Sequence, residues 1–217
     1  MKISKLKEKL KKSDLHGLAL DIDDTLSFTA LYWVENLTKK FGNPDNLTAS
    51  EIINKYKILQ RYPHFKNAQA QAWMKKARST SRVQEFLPLI ENSNHIVNKI
   101  NKIVPIVCYL TIRPERAIEG TRKWLEKHNF PKAPIITRPR YVHYSKGSLW
   151  KVKVLKYLFP YVSGIVDDSY SLIANMPNDY KGTVFLYYYH QDMAKKPNHI
   201  YCKDWKDVLL KVKERFT

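Results

Sequence analysis

Short apolar runs, each followed at once by polar residues, constrain the fold of this chain more than any other feature. Strand-like runs lie at Gly17 to Leu20, Val104 to Leu110, Pro134 to Thr137, Gly164 to Val166 and Thr183 to Tyr189. Their shortness and their aliphatic or β-branched content are typical of strands buried on both faces. Because helix-like segments alternate with them, the pattern predicts an α/β fold with a parallel sheet. A ligand site is then expected at the carboxyl ends of the strands.

One long segment interrupts this alternation. Between Phe28 and about Lys99 there is no strand-like run, and the helical periodicity is broken at Gly42-Asn43-Pro44 and at Tyr62-Pro63. The expected helices run from Thr48, which forms a capping box with Glu51, to Gln60, from Asn67 to Arg78, and from Val83 to Asn101 with Pro88 in its first turn or at a kink. We interpret residues 28–99 as an all-helical cap inserted into a core domain of residues 1–27 and 100–217.

Composition narrows the possible partners. With 38 Lys and Arg against 20 Asp and Glu, the net charge is +18, which attracts nucleic acid, an acidic membrane surface or a phosphorylated small molecule without choosing among them. No stretch approaches the roughly 18 apolar residues of a membrane helix, and the N-terminus lacks the apolar run of a signal peptide. We therefore expect a cytoplasmic protein without a membrane span. The two distant cysteines, Cys108 and Cys202, indicate neither a disulfide framework nor a zinc site.

An acidic cluster follows the first strand-like run, in the sequence GLALDIDDTLS. Asp21, Asp23 and Asp24 occupy three of four positions. A carboxylate at a strand end can attack an electrophile, and a second one two residues later can transfer a proton beside it. A hard divalent cation such as Mg²⁺ would offset the repulsion between them. A structural alternative is that Asp23 or Asp24 caps a helix beginning near Ser27.

Three other stretches place polar residues at strand ends. Thr111, in CYLTIRP, offers a hydroxyl and the following amides to a phosphoryl oxygen. Asp167 and Asp168, in GIVDDS, supply the further carboxylates that a cation near Asp21 needs. Lys146 and Lys151, in YSKGSLWKVKVLKYLFP, can offset negative charge on the nucleophile and on phosphate. Their order along the chain and their shared position favour a phosphoryl-transfer site.

Together these stretches resemble the motifs of the haloacid dehalogenase (HAD) superfamily. Residues 21–26, DIDDTL, fit its first motif, DxDx(T/V)(L/V); Thr111 fits the second, a basic residue fits the third, and residues 166–169, VDDS, fit the fourth. The resemblance implies a Rossmann-like, three-layer αβα core with a parallel sheet. The helical insertion lies where that superfamily carries its C1-type cap.

The resemblance also implies a phosphoaspartyl mechanism. Asp21 would attack phosphorus, and Asp23 would protonate the leaving oxygen and then activate water. Mg²⁺ would be held by Asp21, the backbone carbonyl of Asp23, and Asp168 with help from Asp167. Thr111 would bind the transferring phosphoryl group. The second aspartate of the first motif favours phosphatase over dehalogenase chemistry.

Some assignments stay open at this point. Lys151 is favoured as the third-motif lysine because it precedes a good apolar helical face, whereas Lys146 lies at a more usual distance before Asp167. Arg113 and Asp24 are assigned to substrate binding. Asp24 also replaces the glycine usual at its position in the first motif.

The leading functional hypothesis is a Mg²⁺-dependent phosphatase that hydrolyses a small-molecule phosphomonoester, because a closing cap excludes water and large substrates. Seven basic and aromatic cap residues are candidates to grip an anion or stack on a base: Tyr32, Trp33, Arg61, Tyr62, Trp73, Lys75 and Arg78. The structural alternative is that Trp33 and Trp73 are packing residues. The alternative is a nucleic-acid end-processing phosphatase, or a basic nucleic-acid-binding protein that retains the fold; phosphate contacts would then make binding fall steeply with salt. The sequence predicts no oligomeric state.

Overall fold

A computed structural model describes residues 3–56, 61–188 and 198–217. Within them, strands β1 to β6 are Gly17–Leu20, Ile106–Pro114, Ile135–Arg138, Val162–Asp167, Thr183–Tyr187 and His199–Cys202. They form one sheet in the order β3-β2-β1-β4-β5-β6, and each neighbouring pair is parallel. The order reverses between β1 and β4, which is where an open parallel sheet leaves a crevice for a ligand. The predicted α/β fold with a parallel sheet is confirmed.

Helices cover both faces of the sheet. Helices α1 to α10 are Ile3–Lys12, Thr29–Phe41, Ala49–Tyr56, Ala68–Arg78, Ser81–Glu85, Ser93–Asn101, Ile118–Lys127, Gly147–Leu158, Tyr170–Asn175 and Trp205–Phe216. Successive strand side chains point to opposite faces: Leu18 and Leu20 pack in the core beside α6, α7 and α10, whereas Ala19 packs beside α1, α8 and α9. This arrangement gives the three αβα layers and explains why β1 is apolar at every position.

The segment after β1 forms a helical unit with its own core. Helices α2, α3 and α4 and a 3₁₀ turn at Pro63–Phe65 enclose a third apolar cluster. The predicted capping box is present: the Thr48 amide and hydroxyl donate to a Glu51 carboxylate oxygen at 2.7 Å each, and the Glu51 amide donates to the Thr48 hydroxyl at 3.2 Å. Asn67 caps α4 by accepting from the Ala70 amide at 2.8 Å. The predicted end of the first of these helices, Gln60, lies outside the described residues.

The single helix predicted from Val83 to Asn101 is wrong. Helix α5 ends at Glu85 and α6 begins at Ser93, and Pro88 lies in the extended segment between them. The carbonyl of Pro88 accepts from the Phe28 amide at 2.8 Å, in a short pairing of this segment with the chain after β1. Since α6 packs into the sheet core against α10, we propose that the inserted unit ends before Ser93, several residues earlier than the predicted boundary.

Helix α5 packs closely across α7 and so connects the segment after the inserted unit's helices to the core domain. The Gly120 amide donates to the Ser81 hydroxyl at 2.7 Å. A Cβ atom at Gly120 would lie only 1.8 Å from the Ser81 carbonyl oxygen, so the crossing requires glycine. Lys123 and Glu85 add an ion pair at 3.3 Å between the same two helices.

Strand boundaries differ modestly from expectation. Strand β2 continues past Leu110 to Pro114, β5 ends at Tyr187, and Tyr189 lies outside the described residues. The edge strand β6 was not predicted. In the described part of the chain, none of the helices has both the length and the apolar character that crossing a membrane requires.

Candidate active site

Strands β1 and β4 bring three predicted aspartates together at the carboxyl edge of the sheet. Asp21 follows β1 directly, and its amide donates to the Val166 carbonyl at 2.9 Å, which continues the ladder between the two strands. Asp167 ends β4 and Asp168 follows it. One carboxylate oxygen from each of Asp21, Asp167 and Asp168 lies within 4.8 Å of the other two. Residues 146 positions apart in sequence thus meet because parallel strands end at the same edge.

Lys151 lies between two of these aspartates. Its Nζ atom is 2.7 Å from Asp21 Oδ1 and 2.8 Å from Asp167 Oδ2, and its side chain is 4% exposed. Burial by itself lowers the pKa of a lysine, but Asp167 and Asp21 outweigh it and raise the pKa of Lys151 above its ordinary value. Lys146 is exposed, on the 3₁₀ turn before α8. The structure therefore brings Lys151, and not Lys146, to the aspartates.

The three carboxylates can carry more negative charge than the single positive charge of Lys151 can offset. Burial, together with Asp167 and Asp23, raises the pKa of Asp21 to about 7 despite the ion pair with Lys151. Burial and then Asp167 raise the pKa of Asp168 well above its ordinary value. All three donors in the group are carboxylates, the ligand type that a hard divalent cation prefers. The donor set fits Mg²⁺ in its chemistry and in its excess of negative charge.

Thr25 fixes the orientation of Asp168. Its hydroxyl donates to Asp168 Oδ1 at 3.1 Å and accepts from the Asp168 amide, also at 3.1 Å. The Trp205 indole, at the start of α10, donates to the Thr25 carbonyl at 3.0 Å. Sequence reasoning missed this role of Thr25, although the threonine stands within the first motif.

Asp23 is bound by a buried arginine. Arg113 Nε donates to Asp23 Oδ2 at 3.0 Å and Arg113 Nη2 donates to Oδ1 at 2.8 Å, and the Thr29 hydroxyl donates to Oδ1 at 2.8 Å. The remaining guanidinium contacts go to the hydroxyls of Thr121 and Ser27. Burial opposes ionisation of Asp23, but Arg113 and these hydrogen bonds outweigh it and lower its pKa. Arg113 was predicted to bind substrate; its position on Asp23 was not foreseen, and its substrate contact stays a prediction.

Asp24 has a clear structural task. Its backbone is in the left-handed region, with φ of 56°, which explains why glycine is usual here and why aspartate, which tolerates this region, can replace it. Its carboxylate accepts from the Ala30 amide at 2.7 Å, in the first turn of α2. Asp24 thus binds an amide of the first turn of α2, as the helix-capping alternative expected, although the N-cap position itself is Phe28. Its predicted substrate contact stays a prediction, although the side chain also lines the cavity described below.

Thr111 lies one strand away from Asp21. It is fully buried in β2, two residues past Tyr109, the register partner of Leu20. Its hydroxyl accepts from the Arg113 amide at 3.2 Å. Thr111 therefore lies near the edge of the sheet at which β1 ends. Its contact with a phosphoryl group stays a prediction.

A cavity of about 790 Å³ opens beside Asp23 and Asp24. Three of the seven candidate cap residues, Trp33, Lys75 and Arg78, lie on its lining, and their substrate contacts stay predictions. Tyr62 is fully buried, and both Tyr62 and Trp33 belong to the apolar cluster of the inserted unit. Much of the remaining lining comes from residues at or after the ends of β2 and β3. Its volume is in the range of small-ligand sites. The arrangement therefore joins an acidic edge, whose carboxylates could hold a cation, to a cavity between the inserted helices and the sheet.

Comparisons with known proteins bear on this arrangement. No protein-family model and no curated protein matches the sequence. Among solved structures, a HAD-superfamily hydrolase of subfamily IA, variant 1, from Geobacter sulfurreducens PCA superposes with a TM-score of 0.51 at 14% identity, over 91% of this chain and 96% of that one. The chain has the fold of the HAD-superfamily hydrolases.

Two further HAD structures are similar over most of their length. A HAD-superfamily hydrolase from Ehrlichia chaffeensis has a TM-score of 0.49 at 13% identity, covering 93% of this chain and 97% of that one. A haloacid dehalogenase-like family hydrolase from Xanthomonas campestris has a TM-score of 0.48 at 15% identity, covering 93% and 96%. The expected HAD core is confirmed as a fold by the similarity to the Geobacter sulfurreducens structure, whereas the C1 type of the inserted cap stays a prediction.

Proposed function

We propose that the chain is a Mg²⁺-dependent phosphatase that hydrolyses the phosphomonoester of a small molecule through an aspartyl-phosphate on Asp21. The observation that supports this most is the meeting of Asp21, Asp167, Asp168 and Lys151 at one buried edge of the sheet. Such a group of charges is costly without a ligand, because burial disfavours each ionised carboxylate. It suits a site that binds a cation and a phosphoryl group together.

The first step forms a bond between an Asp21 carboxylate oxygen and phosphorus and breaks the bond to the leaving oxygen, which departs with its electron pair. Asp23 in its acid form gives that oxygen a proton. In the second step water attacks phosphorus, the carboxylate of Asp23 takes the water proton, and the Asp21–phosphorus bond breaks. Lys151 offsets negative charge on Asp21 throughout, and Thr111 with the amides after it donates to phosphoryl oxygens.

The cation would be held by Asp21, Asp168 and the backbone carbonyl of Asp23, with Asp167 supporting through Lys151. When bound, it offsets charge on the phosphoryl oxygens and on the carboxylates. Hydrogen bonds from Thr25 hold the Asp168 carboxylate in place, and Asp167 accepts from the Ser169 amide at 2.8 Å, so both carboxylates would be positioned for a cation.

Hydrolysis of p-nitrophenyl phosphate with MgCl₂ tests this function. Asp21→Asn, which changes one atom, should reduce turnover to background, and Lys151→Ala should reduce it strongly. Asp179→Asn, an exposed aspartate far along the chain, is the matched control. Lys146→Ala should retain activity because Lys146 is exposed. Turnover that survives Asp21→Asn would contradict the proposal.

A second candidate is a nucleic-acid end-processing phosphatase, which the cationic lining of the cavity favours. Arg116 and Arg140 are exposed there and can meet a phosphodiester backbone. Activity on phosphorylated oligonucleotides that falls steeply with salt would support this candidate over the small-molecule phosphatase.

A further inference from the structure

The cavity beside Asp23 is lined by arginines from three separate elements. Arg78 lies on α4, Arg116 lies between β2 and α7, and Arg138 ends β3. We call these three residues the arginine subsite. Lys75 and Arg140 lie on the same lining, so that, with Arg113, six cationic side chains face two carboxylates there.

Neutral groups hold two of these arginines in place. Arg138 Nε donates to the Ile112 carbonyl at 3.1 Å, and its Nη1 donates to the Val142 carbonyl. The Arg78 guanidinium lies over the Tyr144 ring, 4.7 Å from its centroid. Carbonyls and an aromatic ring fix a guanidinium without neutralising it, so the positive charge remains available to a ligand.

Carboxylates of the described residues do not neutralise the positive charge of the arginine subsite. Across the described residues, the ion pairs of the structure include none made by Arg78, Arg116 or Arg138. Asp23 is engaged by Arg113, and Asp24 accepts from the start of α2. Burial and the neighbouring charge of Arg116 lower the pKa of Arg138, although Tyr144 partly offsets them.

The described residues that line this cavity do not include Asp21, Thr111 or Lys151, which the proposed function assigns to the reacting phosphoryl group. Under the proposed function this group is placed at the aspartate edge, where Lys151 and a cation offset its charge. The arginine subsite therefore has no anion to meet unless the substrate supplies one at another position. Guanidinium forks match phosphate oxygens in charge and in geometry.

We propose that the substrate carries a second phosphate group and that Arg78, Arg116 and Arg138 bind it. This rests on the proposed function and adds a substrate class, a phosphomonoester with a second phosphate. The second phosphate comes either from a small bisphosphorylated molecule or from the phosphodiester next to a phosphorylated nucleic-acid end, and the two sources share this chemistry.

Three related substrates separate the outcomes: deoxyadenosine 5′-monophosphate, deoxyadenosine 3′,5′-bisphosphate and the 5′-phosphorylated dinucleotide of deoxyadenosine. The expected result is a kcat/KM at least about tenfold higher for one of the last two than for the monophosphate, since charge-assisted hydrogen bonds are added. Preference for the bisphosphate identifies a small molecule, and preference for the dinucleotide identifies a nucleic-acid end. Equal values for all three overturn the proposal.

The double variant Arg78→Gln/Arg116→Gln assigns the preference to the arginine subsite. It should abolish most of the preference by raising KM for the preferred substrate, and should lower kcat/KM for the monophosphate by a much smaller factor. Arg82→Gln/Lys153→Gln removes the same charge from exposed positions outside the cavity and is the control. An equal loss on the monophosphate, or an equal effect of the control, overturns the assignment.

Failure of the proposed function gives a different result. If the wild-type chain hydrolyses none of the three compounds, calorimetric binding of the bisphosphate to the wild type and to the double variant still tests the arginine subsite. Weaker binding of the bisphosphate by the double variant than by the wild type supports the arginine subsite. Equal or absent binding in both overturns it.

Discussion

Replacement of Lys151 by methionine is the sharpest test of the charge arrangement at the sheet edge. Methionine keeps an unbranched, apolar side chain of similar length, so packing changes little. It removes the cation that lies 2.7 Å from Asp21 and 2.8 Å from Asp167. Because both carboxylates are buried, removing their shared partner should lower the free energy of unfolding by about 3–5 kcal/mol.

The measurement is urea unfolding followed by far-UV circular dichroism, in EDTA at pH 8. With a denaturant dependence of about 2 kcal/mol per molar urea, the midpoint should fall by roughly 1.5–2.5 M. Lys153→Met, an exposed position two residues along the same helix, is the matched control and should shift by less than about 0.5 kcal/mol. If both variants unfold at the same urea concentration, the buried ion pairs do not stabilise the fold.

The loss should also depend on pH. Burial raises the pKa of Asp21 to about 7 in the wild type, and loss of Lys151 removes the main group that opposes this shift. A raised carboxyl pKa favours the folded state at low pH, and this advantage disappears as the pH rises through the folded pKa. The difference between variant and wild type should therefore be smaller at pH 5 than at pH 8. A larger difference at pH 5 would refute the electrostatic explanation.

Two further predictions concern the same acidic residues. Burial raises the pKa of Asp24, like that of Asp21, to about 7. In EDTA, the stability of the wild type should therefore fall between pH 5 and pH 8, as measured by thermal unfolding. Asp24→Asn keeps an oxygen that can accept from the Ala30 amide and should show a smaller fall, so an equal fall in both proteins would contradict this prediction. In titrations with MgCl₂, the stability of the wild type should rise with the logarithm of the Mg²⁺ concentration above the dissociation constant, by about 2.7 kcal/mol at a hundred times that constant. Asp168→Asn should gain much less at the same concentrations. Asp179→Asn is the control, and a full gain in Asp168→Asn would exclude that residue as a ligand.

The sheet could be predicted from the sequence because its strands are buried on both faces. Such strands must be apolar at every position, as β1 is, and polar residues then mark where each strand ends. The edge strand β6 has partly exposed residues and no continuous apolar run, so its sequence, HIYC, carries no comparable signal. Its pairing with β5 depends on the fold that surrounds it.

The break between α5 and α6 also depends on tertiary contacts. The sequence around Pro88 has helical periodicity on both sides, so a kinked helix was a reasonable prediction. The observed extended segment is stabilised by backbone pairing with Ser27 and Phe28, about sixty residues earlier. Local patterns cannot indicate such a partner.

At the site, the residue types and their meeting at one edge were predictable, whereas the pairing of side chains was not. Lys151 and Lys146 lie five positions apart. Lys151, which the apolar face of its helix favoured, reaches Asp21 from α8, whereas Lys146 lies on the turn before that helix. Arg113 was assigned to substrate binding, and that contact stays a prediction. Nothing in the sequence indicated that its side chain would bind Asp23, ninety positions away.

That pairing has a consequence for the proposed reaction. Arg113 holds Asp23 ionised, which prepares it to accept a proton from water but not to donate one to a leaving group. A phosphoryl dianion brought beside Asp23 acts in the opposite direction, because a like charge favours the protonated carboxyl. Under the proposed function, the substrate charge raises the pKa of Asp23 whereas Arg113 lowers it. Leaving groups that are stable as anions need no such proton, so substitution of Arg113 should alter turnover of alkyl phosphates and of p-nitrophenyl phosphate to different extents.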